Sequence, residues 1–246
     1  MGPMGEADTT AVSHPPKLLV VVPAYNEAES IGGVLRDLAK HVPEADVVVV
    51  DDGSSDETAA IALSRHARVI RLPFNLGIGG AVQTGLIVAE RDGYDIVVQV
   101  DGDGQHRADQ IPRLVEALEE QRLDMVIGSR FLAGGRGRYR GPVLRRVGIK
   151  LFEWVNSALV GQRITDNTSG FRGYRREAAT LLARTYPDDY PEPESVVLLA
   201  RRGFRVGEVA VEMRRRQGGR SSIDLSRSIY YMVKVLLAIL VNVTRR

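Results

Sequence analysis

Short apolar blocks alternate with stretches of helical periodicity through the first half of the chain. Residues 18–22 read as a strand, and residues 30–41 follow with a helical pattern. Residues 47–50 form an unbroken run of valine, the pattern of a parallel strand covered on both faces. That run ends in Asp51–Asp52–Gly53, after which Ser54 or Ser55 can cap a helix with Asp56 and Glu57 in its first turn. The pattern then predicts a strand at 69–72, a helix at 79–91, a strand at 96–100, a helix at 110–121 and a strand at 125–127. Beyond Arg130 the rhythm changes to an Arg/Gly-rich loop, a helix around 143–159 and a later strand near 207–213. Strands alternating with helices place the chain in the α/β class, a parallel sheet wrapped by helices. No linker divides it. The expected organisation is a disordered leader at 1–16, one domain at 17–222 and an apolar, amphipathic C-terminal helix at 223–246.

Ligands of open parallel sheets bind beyond the carboxyl ends of the strands. The residues that follow each strand are therefore the ones to inspect. After the first come Pro23, Ala24, Tyr25, Asn26 and Glu27; after the second, Asp51, Asp52, Gly53 and Ser54. After the fourth comes Asp101–Gly102–Asp103–Gly104–Gln105–His106, and after the fifth Gly128–Ser129–Arg130. Asp101 and Asp103 lie two apart with glycines between and after them. Such a turn lets both carboxylates approach one hard cation. Mg²⁺ and Mn²⁺ prefer oxygen ligands, commonly bridge carboxylates to substrate phosphates, and would neutralise a leaving diphosphate. Gln105 or His106 could add a ligand or a contact to a sugar. Asp52 could accept hydrogen bonds from a base or ribose, or could simply start a helix. Tyr25 offers an aromatic face, or a core tyrosine.

Composition narrows the partners. No cysteine is present, which excludes a disulfide scaffold and any Cys-based zinc site, and fits a cytoplasmic protein. The net charge of +2 gives no global basic field of the nucleic-acid-binding kind. Residues 125–152, however, hold no Asp or Glu but carry Arg130, Arg136, Arg138, Arg140, Arg145, Arg146 and Lys150. That block suits a phosphate-rich partner or an anionic membrane surface, or else a solvated basic loop. Residues 229–243 are apolar except for Lys234 and Asn242, a run shorter than the roughly 20 residues that span a bilayer. With Tyr230 and Tyr231 at one end and Arg245 and Arg246 at the other, it reads as a helix for a membrane surface or a small membrane partner, or as a core helix.

The segments VVVPAYNEAESI, VVVVDDGSSDET, FNLGIGGAVQTG, VVQVDGDGQH and VIGSRF, in this order and spacing, resemble glycosyltransferase family 2. The likeness is strongest to its dolichol- or polyprenyl-phosphate sugar synthase branch. It continues through Asp166–Asn167–Thr168–Ser169–Gly170–Phe171 and through Arg216–Gln217–Gly218–Gly219–Arg220–Ser221, similar to that branch's Arg-x-x-Gly-x-Ser. It spans about residues 17–222. The resemblance implies a GT-A (Rossmann-like) fold, a mostly parallel sheet flanked by helices with a C-terminal helical extension. It also implies an inverting reaction and a nucleotide-diphosphate sugar donor. Carried over by position, Pro23, Ala24, Tyr25, Glu27, Asp52 and Gly53 line the nucleotide pocket. Asp101, Gly102 and Asp103, with Gln105, hold the metal and diphosphate. Arg130 stands near the transferring phosphates. Arg145 or Arg146, with Ser169, serves the acceptor, and Arg216 and Ser221 belong to a loop expected to close over the donor.

The acceptor decides the mechanism. A lipid phosphate is already anionic and needs only positioning and charge neutralisation. A sugar hydroxyl, as in cell-surface polysaccharide synthesis, needs a carboxylate to take its proton. Tyr190–Pro191–Glu192–Pro193–Glu194–Ser195 falls roughly where family members acting on hydroxyls place that base, and the lipid-phosphate synthases lack such a run. Glu192 or Glu194 is therefore a candidate base, or Pro193 opens a helix whose first turn holds Glu194. A dehydrogenase would need Gly-x-Gly-x-x-Gly where PAYNE stands. A nucleotidyltransferase would need a Gly-rich basic loop there. A catalytically silent membrane scaffold would not need Asp52, Asp101, Asp103 and Arg216 together. The expected enzyme is peripheral at the cytoplasmic membrane face, with homo-oligomerisation left open.

Overall fold

The computed structural model describes residues 16–132, 163–187 and 191–214. Arg145, Arg146, Arg216, Ser221, the leader through residue 15, the helix expected at 143–159 and the apolar tail lie outside the described residues.

The elements run β1 (Leu18–Ala24), α1 (Ile31–His41), β2 (Asp46–Asp51), α2 (Thr58–Ser64), β3 (Arg68–Arg71), α3 (Gly77–Asp92) and β4 (Ile96–Gln99). A 3₁₀ turn at Ala108–Gln110 leads into α4 (Ile111–Glu120) and β5 (Met125–Ser129). Then come β6 (Arg172–Arg175), α5 (Arg176–Thr185), α6 (Pro191–Arg201) and β7 (Val206–Ala210). The strands form one sheet in the order β3-β2-β1-β4-β6-β5-β7. Every pairing is parallel except those of β6, which runs antiparallel to β4 and β5. This is the α/β, mostly parallel architecture expected.

Both faces of the strands are apolar because both are covered. Val20, Val22, Val49, Val98 and Val126 pack with Ile31, Leu35 and Leu38 of α1 and Leu114 and Leu118 of α4. The alternate residues Leu19, Val21, Val48, Val50, Val97, Met125 and Ile127 pack with Leu86 of α3, Leu182 of α5, and Val196 and Leu199 of α6. Gly85 brings α3 down onto β1, since a Cβ there would lie 2.2 Å from Val21 Cγ1.

Several expectations need correction. Neither Ser54 nor Ser55 caps a helix: Ser54 Oγ accepts from Asn26 N and Ser55 N donates to Asn26 Oδ1, and α2 starts only at Thr58. The third strand begins at Arg68, a residue early. The last strand ends at Ala210, leaving Met213 in an isolated bridge to His106. β6 and α5 were not anticipated at all. The consequence for the site is direct. β6 starts at the edge where its antiparallel neighbours β4 and β5 end, so its lead-in, residues 166–171, arrives beside the aspartate turn.

Candidate active site

Four strand ends and one strand start converge. On the β1–β2 side, Asn26 adopts a left-handed φ of 54°, and the loop it begins is stapled to the loop after β2. Glu27 N donates to Thr58 Oγ1 at 2.8 Å and Ala28 N to Asp56 Oδ2 at 3.1 Å. The Glu27 carboxylate is buried and accepts from Ser30 Oγ at 2.8 Å. Tyr25 is 48% exposed, so it is not a core tyrosine and its ring stands open at the edge. Pro23 and Ala24 lie beneath the aspartate turn: a Cβ at Gly102 would meet Ala24 Cβ and Pro23 O at 3.1 Å.

Asp52 is a helix-start aspartate, but for α3 rather than for the helix next in sequence. Its Oδ1 accepts from Leu76 N at 2.7 Å and its Oδ2 from Gly77 N at 2.9 Å. Burial raises its pKa, while those two amides and the α3 N-terminus favour the charged form. Gly53 is obligatory: its φ is +71°, and a Cβ would lie 2.8 Å from the Phe74 carbonyl carbon.

At the centre, the turn after β4 presents Asp101 and Asp103. Asp103 Oδ1 accepts from Gln105 N at 3.0 Å, and Gln105 O accepts from Arg214 N at 2.8 Å. Gln105 thus contributes its main chain to the turn. Arg214 also donates to Asp37 Oδ2 of α1 at 3.0 Å, so the chain leading toward Arg216 is anchored beside the aspartates. His106 is buried and stacked on Phe171, with ring centroids 4.9 Å apart. Its Nδ1 accepts from Asp101 N at 3.0 Å, which leaves the proton of the neutral ring on Nε2, 3.7 Å from Asp101 Oδ2. Burial pushes the His106 pKa down to about 4, so the ring is neutral and acts as a brace for Asp101.

On the β5–β6 side, Arg130 is bound to Asp166. Nε donates to Oδ2 and Nη2 to Oδ1, both at 2.7 Å, and the Arg130 amide reaches Oδ2 at 3.0 Å. Burial works to lower the Arg130 pKa, but Asp166 and neighbouring Asp101 outweigh it and hold the guanidinium charged. Asp166 is held in turn from β7: Glu208 accepts from Asp166 N, Thr165 N and Thr165 Oγ1 at 2.8–2.9 Å. Ser169, expected at the acceptor, is buried, and its hydroxyl donates to Gly128 O at 2.7 Å. It pins the segment to β5 instead of facing a ligand. Gly170 faces Asp101: a Cβ there would lie 2.8 Å from Oδ2, so any side chain would cover the carboxylate.

Arg172 opens β6 and is fully buried. Its guanidinium donates to Ser169 O and Glu192 O at 2.7 Å, Ser195 Oγ at 2.8 Å and Asn167 O at 2.9 Å. It thereby locks the first turn of α6 to the 166–170 segment. Glu192 and Glu194 both fall in that turn. Burial raises the Glu192 pKa, Arg172 opposes it, and the charge on Asp101 adds to the rise. Glu192 is therefore in electrostatic reach of the aspartate turn.

The residues fit a divalent cation. Two carboxylates share a glycine-flanked turn, Asp101 keeps a third of its side-chain surface open, and Gly170 supplies the gap in front of it. Among the described residues no group of three or more His, Asp or Glu side chains is gathered that could hold an ion alone. An ion at this turn would be held by its two carboxylates and completed by substrate phosphate. Asp166, Arg172 and Glu208 were not singled out from the sequence for these roles, because each acts on partners distant in the chain.

Comparison with known proteins agrees with this geometry. The sequence model of the family described as Glycosyl transferase family 2 matches residues 19–182. The undecaprenyl-phosphate mannosyltransferase of Micrococcus luteus is 35% identical over 220 residues, covering 85% of this chain and 88% of its own. The polyprenol monophosphomannose synthase of Mycolicibacterium smegmatis is 31% identical, covering 93% of this chain and 89% of its own. The fold is shared with glucosyl-3-phosphoglycerate synthase from Mycobacterium tuberculosis, crystallised with Mn²⁺, uridine-diphosphate-glucose and phosphoglyceric acid. The TM-score is 0.67 at 22% identity, over 90% of this chain and 79% of that one. The match that starts in β1 and runs into α5 encloses both the aspartate turn and the Asp166 segment; the chain belongs to glycosyl transferase family 2 and is a glycosyltransferase.

Proposed function

We propose that this enzyme transfers a sugar from a nucleotide-diphosphate sugar to a polyprenyl phosphate, with inversion at the anomeric carbon, at the cytoplasmic face of a membrane. The observation that carries the reading is the juxtaposition, at one sheet edge, of the Asp101–Asp103 turn left open by Gly170 with the Arg130 guanidinium. The two relatives of the lipid-phosphate class support the acceptor.

In this reading Tyr25, Glu27 and the Asp52–Gly53 turn border the nucleotide. Asp101 and Asp103 would hold Mg²⁺ or Mn²⁺, which would supply charge neutralisation for the departing diphosphate. Arg130 faces the same phosphates. An oxygen of the acceptor phosphate forms the new bond to the anomeric carbon as the bond to the diphosphate oxygen breaks. That oxygen is already anionic, so no protein group has to take a proton. Arg145 or Arg146 would hold the acceptor phosphate, and Arg216 and Ser221 would cover the donor. No helix among the described residues is long and apolar enough to cross a membrane. Residues 229–243 are proposed to supply surface attachment, and deleting them should lower partitioning onto vesicles.

The test is incubation with a panel of labelled nucleotide sugars and Mg²⁺ or Mn²⁺, with and without polyprenyl phosphate, followed by extraction into organic solvent. Label should enter the organic phase only when polyprenyl phosphate and a divalent ion are both present. Label that stays in water under every combination overturns the reading.

The place of Glu192 favours a second reading, transfer to a saccharide hydroxyl with Glu192 or Glu194 as base. General-base catalysis is worth about 10²–10⁴-fold. A loss of that size in Glu192→Gln or Glu194→Gln, with donor binding retained, selects the hydroxyl acceptor. Turnover held near wild type in both selects the phosphate.

A further inference from the structure

Arg130 presents a puzzle for a phosphate-binding cation, because its charge is already matched. Three of its donors go to one carboxylate, and Nη2 also reaches Thr168 Oγ1 at 3.0 Å. Asp166 has no exposed side-chain surface, whereas a third of the Arg130 side chain is open. The pair is thus anchored at the carboxylate end and presented at the guanidinium end. Behind it, Glu208 of β7 takes up both backbone amides that set the direction of Asp166, and Thr165 Oγ1 ties the same corner to Ser129 Oγ at 2.8 Å. A bidentate arginine–carboxylate pair fixes the plane of the guanidinium. It also restricts a side chain that otherwise samples many rotamers. Nε and Nη2 lie on the bonded edge; Nη1 is the remaining end of the fork.

We propose that Asp166, braced by Glu208, is a positioning residue for sugar transfer: it sets the plane of Arg130 so that Nη1 meets the donor diphosphate beside Asp101. The proposal rests on the donor reading above. Asp166 and Glu208 touch no substrate; they act through Arg130.

A double-mutant cycle tests it. GDP and UDP, each with saturating Mn²⁺, are titrated into the full chain and its variants by calorimetry. Arg130→Ala should weaken whichever nucleotide binds by about tenfold, the scale of one charge-assisted contact. Asp166→Asn should weaken it by roughly three- to tenfold, and the double variant should be no weaker than Arg130→Ala alone. Glu208→Gln is run through the same cycle, so that poor folding of Asp166→Asn leaves the question answerable. A positioning role makes both losses vanish in the Arg130→Ala background. Losses that multiply show that Asp166 and Glu208 act on the fold independently of Arg130 and overturn the proposal. An Arg130→Ala variant that binds as tightly as wild type overturns it too, with the donor reading intact. Failure of the wild-type chain to bind either nucleotide, together with no transfer in the nucleotide-sugar panel, fells the donor reading itself.

Discussion

The two halves of the catalytic edge are built from different materials. On the β1–β2 side, loops are joined by short polar side chains and backbone amides: Asn26 to Ser54, Glu27 to Thr58, Ala28 to Asp56, and Asp52 to the start of α3. On the β5–β6 side, charges that are buried or half-buried do the joining: Arg172 to four acceptors, Asp166 to Arg130, Glu208 to the 165–166 backbone. Single neutral bonds contribute about 1 kcal/mol each, somewhat more where the Asp52 or Asp56 carboxylate accepts, and a lost one is partly replaced by a neighbouring donor or by water. Buried charges are all-or-nothing, since removing one member strands the others. The first half can therefore tolerate adjustment, while the second holds one geometry or fails.

The seam between the halves carries the largest expected effect. Asp103→Ala should lower turnover by about a thousandfold or more, the several kcal/mol of transition-state charge stabilisation that a divalent ion supplies. Its urea midpoint should stay near wild type; substantial residual turnover would remove the metal from the donor reading. Next is the charged half. Arg172→Leu strands the Ser169 and Asn167 carbonyls, leaves Glu192 O and Ser195 Oγ to each other, and should cost about 3–5 kcal/mol in urea unfolding. Arg172→Lys should recover only part, because an ammonium cannot reproduce the planar fork. In the other half, Asp52→Ala removes the cap of α3 and should cost about 1–2 kcal/mol. A loss as large as that of Arg172→Leu would erase the distinction between the halves. The smallest effect lies away from both. Tyr94, whose hydroxyl donates to Asp46 Oδ2 at 2.8 Å, is buried enough to be pushed up to about 12. A raised pKa means that its contribution is complete below the ordinary tyrosine value and fades as pH climbs toward 12. Stability of the wild-type chain should therefore fall more steeply across that window than stability of Tyr94→Phe.

The same contrast explains what could be read without coordinates. The parallel strands announce themselves as apolar runs because helices cover both faces, and the groups after each run, from Tyr25 to Arg130, do gather at one edge. Asp52 shows where local reading stops. Its place in the sequence allows a ligand contact or a helix start, and the helix it starts is not the one that follows but the one that begins at Gly77, a partner chosen by the β2–β3 crossover. Ser54 and Ser55 likewise carry the composition of a cap but spend their hydrogen bonds on Asn26. β6 was illegible for a different reason. Arg172–Gly173–Tyr174–Arg175 has no apolar run, and several of its polar groups find their acceptors far along the chain: Arg175, for example, donates to Leu118 O and Leu123 O. Glu208 sits in an imperfectly alternating strand, and nothing local shows that its carboxylate points toward Thr165.

The antiparallel course of β6 has one more implication. A crossover between parallel neighbours must return to the far edge of a sheet before re-entering it. The connection from β5 to β6 instead leaves after Ser129 and re-enters at Arg172 on the same side, the edge that gathers the aspartate turn. An antiparallel neighbour needs no helix across a sheet face to reach its place, so its register is set by strand pairing alone. Antiparallel entry thus separates the length of this connection from the geometry of the edge that holds Asp101, Asp103 and Arg130.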